Sequence, residues 1–376
     1  MGEWVEVALD DLIRLQRGYD LPTPQRRPGQ VPVLGAGGIS GWHDVHVVCG
    51  PGVVVGRAGA SMGKATYIKE DFWPLNTSLF ITDFRGNDPR FVYYLLKQVD
   101  FSGYNSGAAH PMLNRNYIKR MPLRVPRPRE QRAISSTLGA LDDKITVNER
   151  GASTALELAI AEYGRMGIEQ AWPSMALGET AHWYSGGTPK TSEPAYWDGD
   201  IPWISAKSLQ SPWIDRSDRN ITELGARNGT RLVPNDTVIF VVRGSSLDSE
   251  FRVGLTQCEV AFGQDCKALR TIDTVDSAIL LIALKANEAE VLKLVDHTGH
   301  GAGRLSTELI SKFPVRLPTA DQLTAAKAVL RPLAETAAKK RAEIRTLATL
   351  RDTLLPKLMS GELRVWDAEK AVEEAT

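Results

Sequence analysis

The chain writes one passage twice. Residues 113–126 read LNRNYIKRMPLRVP and residues 305–318 read LSTELISKFPVRLP. At a constant separation of 192, Leu113 matches Leu305, Ile118 matches Ile310, Pro122 matches Pro314, Arg124 matches Arg316 and Pro126 matches Pro318. Each copy is followed by a glutamine (Gln131, Gln322) and preceded by a Gly-rich segment, SGAAHP at 106–111 and HGAGR at 300–304. Farther forward, VPVLGAGG at 31–38 parallels IPWISAKS at 201–208, and VVVGRAGAS at 53–61 parallels VIFVVRGSS at 238–246. A repeat of about half the 376 residues signifies domain duplication, because solenoid repeats run to only a few tens of residues.

Within each unit the texture changes once. The first part is rich in Gly, Pro, Trp and Tyr, with short β-branched runs such as Val53–Val55 and Val238–Val242 that end in Gly or charged turns. Such runs read as short strands of an irregular α+β globule. The second part is helical. Residues 129–168 hold no proline, and residues 319–361 hold only Pro332 and Pro356. Leu330, Ala337 and Ile344 lie seven apart, as do Leu333, Lys340, Leu347 and Leu354, which makes a heptad seam with one polar intruder, Lys340. Ile134, Leu138, Leu141 and Ile145 give the same stripe in the first helix, continued by Leu156 and Tyr163. Rods of about forty residues, roughly 60 Å long, carry no core of their own and are predicted to cover each other as an antiparallel pair. Pro332 lacks an amide hydrogen and should kink the second rod or mark its true start. The resulting layout is a globule at 1–128, a helix at 129–168, a second globule at 169–318, a second helix at 319–363 and a charged tail at 364–376, with the globules related by a pseudo-twofold axis.

Composition excludes several classes. With 43% hydrophobic and 24% charged residues the chain can bury substantial cores. Three cysteines (Cys49, Cys258, Cys266) exclude a disulfide scaffold and a four-cysteine zinc site. The opening MGEWVEVALDDLIRL has neither the basic nor the apolar region of a signal peptide, and no apolar run approaches 18 residues, so a soluble cytoplasmic protein is expected. Catalytic motifs fail one by one. GASMGK at 59–64 has three residues rather than four between its glycines, and Ala65 stands where a magnesium-binding Ser or Thr would be needed. No Gly-x-Gly-x-x-Gly follows a strand, and no Asn/Asp-Pro-Pro-aromatic tetrapeptide of an amino-methyltransferase occurs. Asp142, Asp143 and Lys144 are consecutive on a helix and splay over its surface. The pairs His43/His46 and His297/His300 lack a second ligand pair and read as single surface or turn histidines. Cys258 and Cys266 read as small buried hydrophobes. No metal and no cofactor is expected on this chain.

Binding chemistry remains. Basic and acidic residues balance at 45 each, yet Arg115, Lys119, Arg120, Arg124, Arg127, Arg129 and Arg132 crowd one stretch against the single acid Glu130. Such a face attracts phosphate oxygens; as a bare charge run it could equally be a solvated surface. Asn114, Asn116 and Tyr117 are interleaved with the cations, and the Gly-rich segments ending near His110 and Arg304 allow close backbone approach to a ligand. A second set is Arg57, Ser61 and Lys64 in a Gly-rich loop after a strand, with Arg243, Ser245 and Ser246 as its counterpart. Asn76, Lys207 and Gln264 complete the candidates, since Arg and Lys pair with guanine and Asn and Gln with adenine.

The closing segment LRDTLLPKLMSGELRV (350–365) closely resembles the end signature of the specificity subunits of type I restriction–modification systems. The junctions VPRPREQRAI (125–134) and RLPTADQLTA (316–325) resemble that family's boundary between target-recognition domain and conserved helix, with Asp321-Gln322 replacing the Glu130-Gln131 of the first junction. The duplicated globule–helix order matches as well. The resemblance implies a non-catalytic reader of double-stranded DNA with a bipartite target, one half-site per globule. It implies assembly with two copies of a methylation subunit that uses S-adenosylmethionine, and with an ATP- and magnesium-dependent restriction subunit. Its recognition domains diverge, so the DNA-contacting candidates above rest on chemistry alone. Two globules on one side of a duplex would read sites about one helical turn, 34 Å, apart. A stand-alone DNA-binding protein, or a specificity module of another defence system, is the alternative from the residues; a coiled-coil protein with carbohydrate- or protein-binding heads is a further one, distinguished by weak salt dependence.

Overall fold

The computed structural model describes residues 4–105, 111–297 and 302–375. The chain divides into two compact units, the first made of Met1–Thr146 with Ile344–Thr376 and the second of Val147–Glu343.

In the first unit, strands Arg14–Arg17, Ser78–Asp83, Gly52–Gly56 and Ala65–Ile68 form, in that order, a four-stranded antiparallel sheet. Gly52–Gly56 is fully buried, which is why its sequence GVVVG is apolar throughout instead of alternating. A three-stranded sheet, ordered Gly38–His43, Val31–Gly35 and Trp73–Pro74, adjoins it. Helix α1 (Pro89–Gln98) starts where Asp88 accepts a hydrogen bond from the Phe91 amide and Pro89 takes the first helical position. It buries Phe91, Val92, Tyr94, Leu95 and Leu96 in the core. A two-stranded ladder pairs Val5–Ala8 with Pro122–Val125 and leads into helix α2 (Pro128–Glu169).

The second unit repeats this order. Its five-stranded sheet runs Ala181–Ser185, Cys266–Thr271, Val238–Val241, Val253–Thr256 and Trp213–Ile214, with Val238–Val241 buried at the centre. A four-stranded sheet orders Asn220–Ile221, Trp197–Ile204, Val260–Phe262 and Leu232–Val233. Asp276 caps helix α3 (Ser277–Ala286) by accepting from the Ala278 and Ile279 amides, as Asp88 caps α1. The ladder Ser174–Ala176 with Pro314–Arg316 leads into helix α4 (Ala320–Ser360), as its counterpart leads into α2.

The junction glutamines lock these transitions. Gln131 is buried; its amide donates to the Pro126 carbonyl (3.0 Å) and Asn87 Oδ1 (2.8 Å), and its Oε1 accepts from the Asp88 amide (3.2 Å). Gln322 accepts from the Thr319 amide (3.1 Å) and donates to the Gln170 carbonyl (2.8 Å).

The long helices are shared between the units, one half of each to a unit. In the second unit they run antiparallel, with Asn148 meeting Lys340 at one end (3.4 Å) and Gln170 meeting Gln322 at the other. In the first unit Ile134, Leu138, Leu141 and Ile145 join Leu347, Leu354, Leu355 and Leu358 in one core. Of the seam positions read from heptads, these four residues of α2, Leu330, Leu347 and Leu354 are buried, whereas Leu156, Leu333 and Ile344 are half-buried. Around Leu156 the buried positions are Ala152, Ala155 and Ala159.

Two expectations change. Helix α4 runs unbroken from Ala320 through Pro332, so Pro332 does not mark its start. The ring is exposed, and so is Ala328 one turn back, so water can satisfy the carbonyl the missing amide would have paired. In the segment 364–376, read as a charged tail, Val365–Ala375 forms helix α5, which buries Ala368 and packs Val365 and Val372 against the first core. No described helix is long and apolar enough to cross a membrane.

Candidate nucleic-acid interface

In the first unit the loop Gly56–Lys64 turns between two antiparallel strands and is held by its own backbone: the Gly56 amide donates to Lys64 (2.9 Å) and the Gly63 amide to Gly56 (2.8 Å). A side-chain carbon at Gly56 would come within 2.0 Å of the Ser61 carbonyl oxygen, so the turn requires glycine. This hairpin passes through one short 3-10 turn, Gly59–Ser61, into the next antiparallel strand, whereas a phosphate loop opens an α-helix. The Arg57 carbonyl accepts from the Leu113 amide (2.7 Å) and the Gly59 amide donates to Pro111 (3.0 Å), so the loop is stitched to the segment that carries Asn114 and Arg115. Arg57 reaches Met112 Sδ (3.6 Å) and the Asn76 carbonyl (3.5 Å), and Lys64 reaches the Gly37 carbonyl (3.0 Å). The Asn76 amide is engaged with Asp20. Arg57, Ser61, Lys64 and Asn76 therefore share one locality.

Asn114 spends its side chain on capping the turn Arg115–Ile118, accepting from the Asn116 amide (3.0 Å). Arg115, Asn116 and Lys119 are exposed and line one cleft of about 400 Å³ together with Asp10, Arg14 and Arg85. Arg120 is exposed but does not line this cleft. Nothing in the sequence marks Arg14 and Arg85: they stand alone among their neighbours, and only the packing of Arg14–Arg17 and the Phe84–Asn87 turn brings them to the basic cluster.

The second unit has the corresponding construction. The Val242 carbonyl accepts from the Leu305 amide (2.8 Å), as Arg57 does from Leu113, and Arg243 and Arg304 face each other as an isolated antiparallel bridge. Arg243, Gln264 and Arg304 line a cleft of about 540 Å³ with Asp265, Lys267 and Glu308. Ser245 and Ser246 open the turn Ser245–Asp248; a side-chain carbon at the preceding Gly244 would lie 3.5 Å from Ala206 Cβ, which puts this turn near the segment carrying exposed Lys207. The Ser246 hydroxyl is buried without a hydrogen-bond partner. Lys267, missed in the sequence because it sits on a strand, donates to Ser185 Oγ (2.6 Å) at the cleft. His110 and His300 lie outside the described residues.

Other polar groups are structural. Asp142 accepts from Tyr94 (2.5 Å) and Arg351 (2.8 Å), and Asp143 from Arg90 (3.0 Å) and Lys69 (2.8 Å). Hydrogen bonds from Arg90 and then Lys69 hold the Asp143 carboxyl down at about 2, so both acids stand on the helix as ion-pair partners of α1 and α4. His43, read as a surface or turn histidine, is instead buried at the end of strand Gly38–His43, where its Nδ1 accepts from the Arg27 amide (3.0 Å). His297 faces Asp248 at 3.4 Å. Burial pushes the Cys266 thiol up to about 12, in keeping with a buried hydrophobe; Cys258 is half-buried.

The family model described as the type I restriction modification DNA specificity domain matches this chain twice, over residues 1–158 and 169–344. The EcoR124I/EcoR124II specificity subunit of Escherichia coli, a type I restriction enzyme component, is 26% identical over 62% of this chain and 60% of its own length. The MjaIX specificity subunit of Methanocaldococcus jannaschii is 24% identical over 73% and 69%. The chain thus aligns with less than two thirds of the first of these relatives. A crystal structure of the S subunit of a type I restriction–modification system from M. genitalium shares the fold, with a TM-score of 0.67 at 19% identity, covering 95% of this chain and 96% of the other. The two matched stretches carry the two basic clefts and the repeated order of ladder, central strand, capped helix and long helix, and the chain belongs to the type I restriction modification DNA specificity domain family.

Proposed function

We propose that this chain is a non-catalytic DNA-recognition subunit that directs adenine methylation and restriction to a bipartite target, each unit reading one half-site. One observation carries the reading: each unit places an arginine within two residues of the end of a buried strand, Arg57 after Gly56 and Arg243 after Val242, and ties that segment to the one holding the next cation, Arg57 to Leu113 beside Arg115, and Val242 to Leu305 with Arg243 bridged to Arg304. Arginine is suited to bidentate pairing with guanine, and the flanking lysines and arginines to phosphates; Arg57 is half-buried and Arg243 exposed. The names of its relatives, specificity subunits of type I restriction enzymes, point to methylation and restriction subunits as partners. Two methylation subunits with S-adenosylmethionine, and a restriction subunit with ATP and magnesium, would supply the chemistry this chain lacks. The candidate set comprises Arg57, Ser61, Lys64, Arg115, Asn116, Lys119 and Arg120 in the first unit, and Lys207, Arg243, Ser245, Ser246, Gln264 and Arg304 in the second. The first globule ends at about residue 128 and the second runs from 169 to 318.

Equilibrium binding across salt concentrations tests this. Replacing Arg115, Lys119 and Arg120 by alanine should weaken binding to target and random duplex alike, and lower the salt slope by about 0.9 for each phosphate no longer neutralised. Unchanged affinity and slope would reduce this cluster to a solvated charged surface.

A further inference from the structure

Outside the basic clefts, one cluster of ligand-type side chains stands out. His46, Cys49 and Asp71 form the sole group of three His, Cys, Asp or Glu residues among the described ones whose ligand atoms all lie within 4.8 Å of one another. His46 Nε2 is 3.5 Å from Asp71 Oδ2 and 4.0 Å from Cys49 Sγ. The sulfur and the carboxylate thus converge on the same ring nitrogen. A thiol–imidazole–carboxylate relay would need them on opposite nitrogens, so this geometry does not suit nucleophilic catalysis. It suits a cation at the common point.

The distances agree. Around a tetrahedral zinc ion, ordinary bond lengths put nitrogen and oxygen ligands about 3.4 Å apart and nitrogen and sulfur about 3.6 Å apart. The first separation is already present and the second needs closing by a few tenths of an ångström. The donors come from two segments that the backbone holds together: the Phe72 carbonyl accepts from the Val47 (3.2 Å) and Val48 (3.1 Å) amides, and the Phe72 amide donates to Val48 (2.9 Å). Gly50 permits the approach, since a side-chain carbon there would lie 2.3 Å from the Lys69 carbonyl oxygen. The Gly50 amide donates to Asp71 Oδ1 (2.9 Å), fixing the carboxylate so that Oδ2 faces the histidine, the kind of support that orients metal ligands. All three side chains are exposed, so an ion has an entry path and the fourth position is open to water.

We propose that His46, Cys49 and Asp71 bind a divalent zinc-class ion that pins the loop around Cys49 to the turn at Asp71. The mixed nitrogen, sulfur and oxygen donor set favours zinc over magnesium or calcium, which take oxygen ligands.

Titration of the purified full chain, freed of metal, with cobalt(II) and then zinc(II) tests the proposal. One cobalt per chain should bind with a thiolate charge-transfer band and tetrahedral visible bands, and zinc should displace it. Cys49→Ser should abolish the thiolate band, and His46→Gln and Asp71→Asn should each weaken zinc binding by about tenfold or more. Absence of the band, or its survival in Cys49→Ser, overturns the site. A measurement on the unaltered chain stands independently of variant folding: zinc should slow alkylation of Cys49 and leave Cys258 unaffected, and equal rates with and without zinc would also overturn it.

Discussion

The helix pair is built from different materials in its two halves. In the first unit, long branched side chains fill the seam: Ile134, Leu138, Leu141 and Ile145 against Leu347, Leu354, Leu355 and Leu358. In the second unit, alanines do most of it: Ala155 and Ala159 in one core with Ala326, Leu330, Ala334 and Ala337, and Tyr163 and Met166 at the far end. The first half is held by the area each side chain buries, about 1.5–3 kcal/mol per large aliphatic group. The second half gains little area per residue and depends on close fit. One helix pair can therefore be stabilised by bulk at one end and by steric economy at the other, and each end should fail under the opposite kind of substitution.

That contrast sets the largest expected effects. Leu138→Ala or Leu347→Ala, both fully buried, should cost about 2–5 kcal/mol through lost burial and the cavity left behind. Ala159→Leu, at an equally buried position, should cost about 1–3 kcal/mol by overpacking. Hydrogen exchange resolved along the chain checks both, with lost protection concentrated in the unit that carries the change. Equal tolerance of Ala159→Leu and of a surface substitution would mean that the second half is loosely packed.

A smaller effect separates the halves by pH. Asp143 belongs to the first unit, and hydrogen bonds from Arg90 and then Lys69 hold its pKa at about 2, below the ordinary value near 3.9 for an aspartate. A depressed carboxylate contributes stability above its unfolded pKa and loses it as pH falls through the folded one. First-unit stability should therefore decline between about pH 4 and pH 2, and Asp143→Asn should flatten part of that decline. The carboxylate is half exposed, so added salt should shrink the difference. An identical acid limb in the two proteins would show that the ion pairs contribute nothing.

The last effect concerns the polar contact in the second unit. Lys340 lies across Gly151 and donates to buried Asn148 (3.4 Å), whose Nδ2 is buried without a partner. Removing Lys340 alone, as Lys340→Met, should cost about 1–3 kcal/mol because it strands Asn148. The double change Asn148→Ala with Lys340→Met should stay within about 1 kcal/mol of the parent, as replaced buried polar pairs often do. A double variant as unstable as the single one would assign the contact a net stabilising role.

The same contrast decides what was legible in the sequence. Heptads of leucine and isoleucine stand out by hydropathy, so the first-unit seam is visible as far as Ile145. Alanine is both a helix former and a core filler, so its burial leaves little periodic signal: buried Ala337 falls on a heptad only beside Leu330, and in the first helix the stripe passes through Leu156 when the buried positions are Ala155 and Ala159. The repeat exposes the duplicated order of elements, and within it Gln131 and Gln322 each donate to a backbone carbonyl where a long helix begins. Arg57 and Arg243 stand out through that repeat. Arg14, Arg85 and Lys267 do not, because a cleft gathers side chains from distant segments and only the fold brings them together. His46 and Cys49 look isolated for the same reason, with Asp71 arriving from another loop.

On the proposed reading, each unit reads its own half of the DNA target. The direct measurement maps methylated positions after exchanging residues 1–128 for those of another family member, in complex with the methylation subunits. One half-site should change while the other half-site and the spacer between them remain as they were. A change in both half-sites, or in the spacer, would contradict that reading.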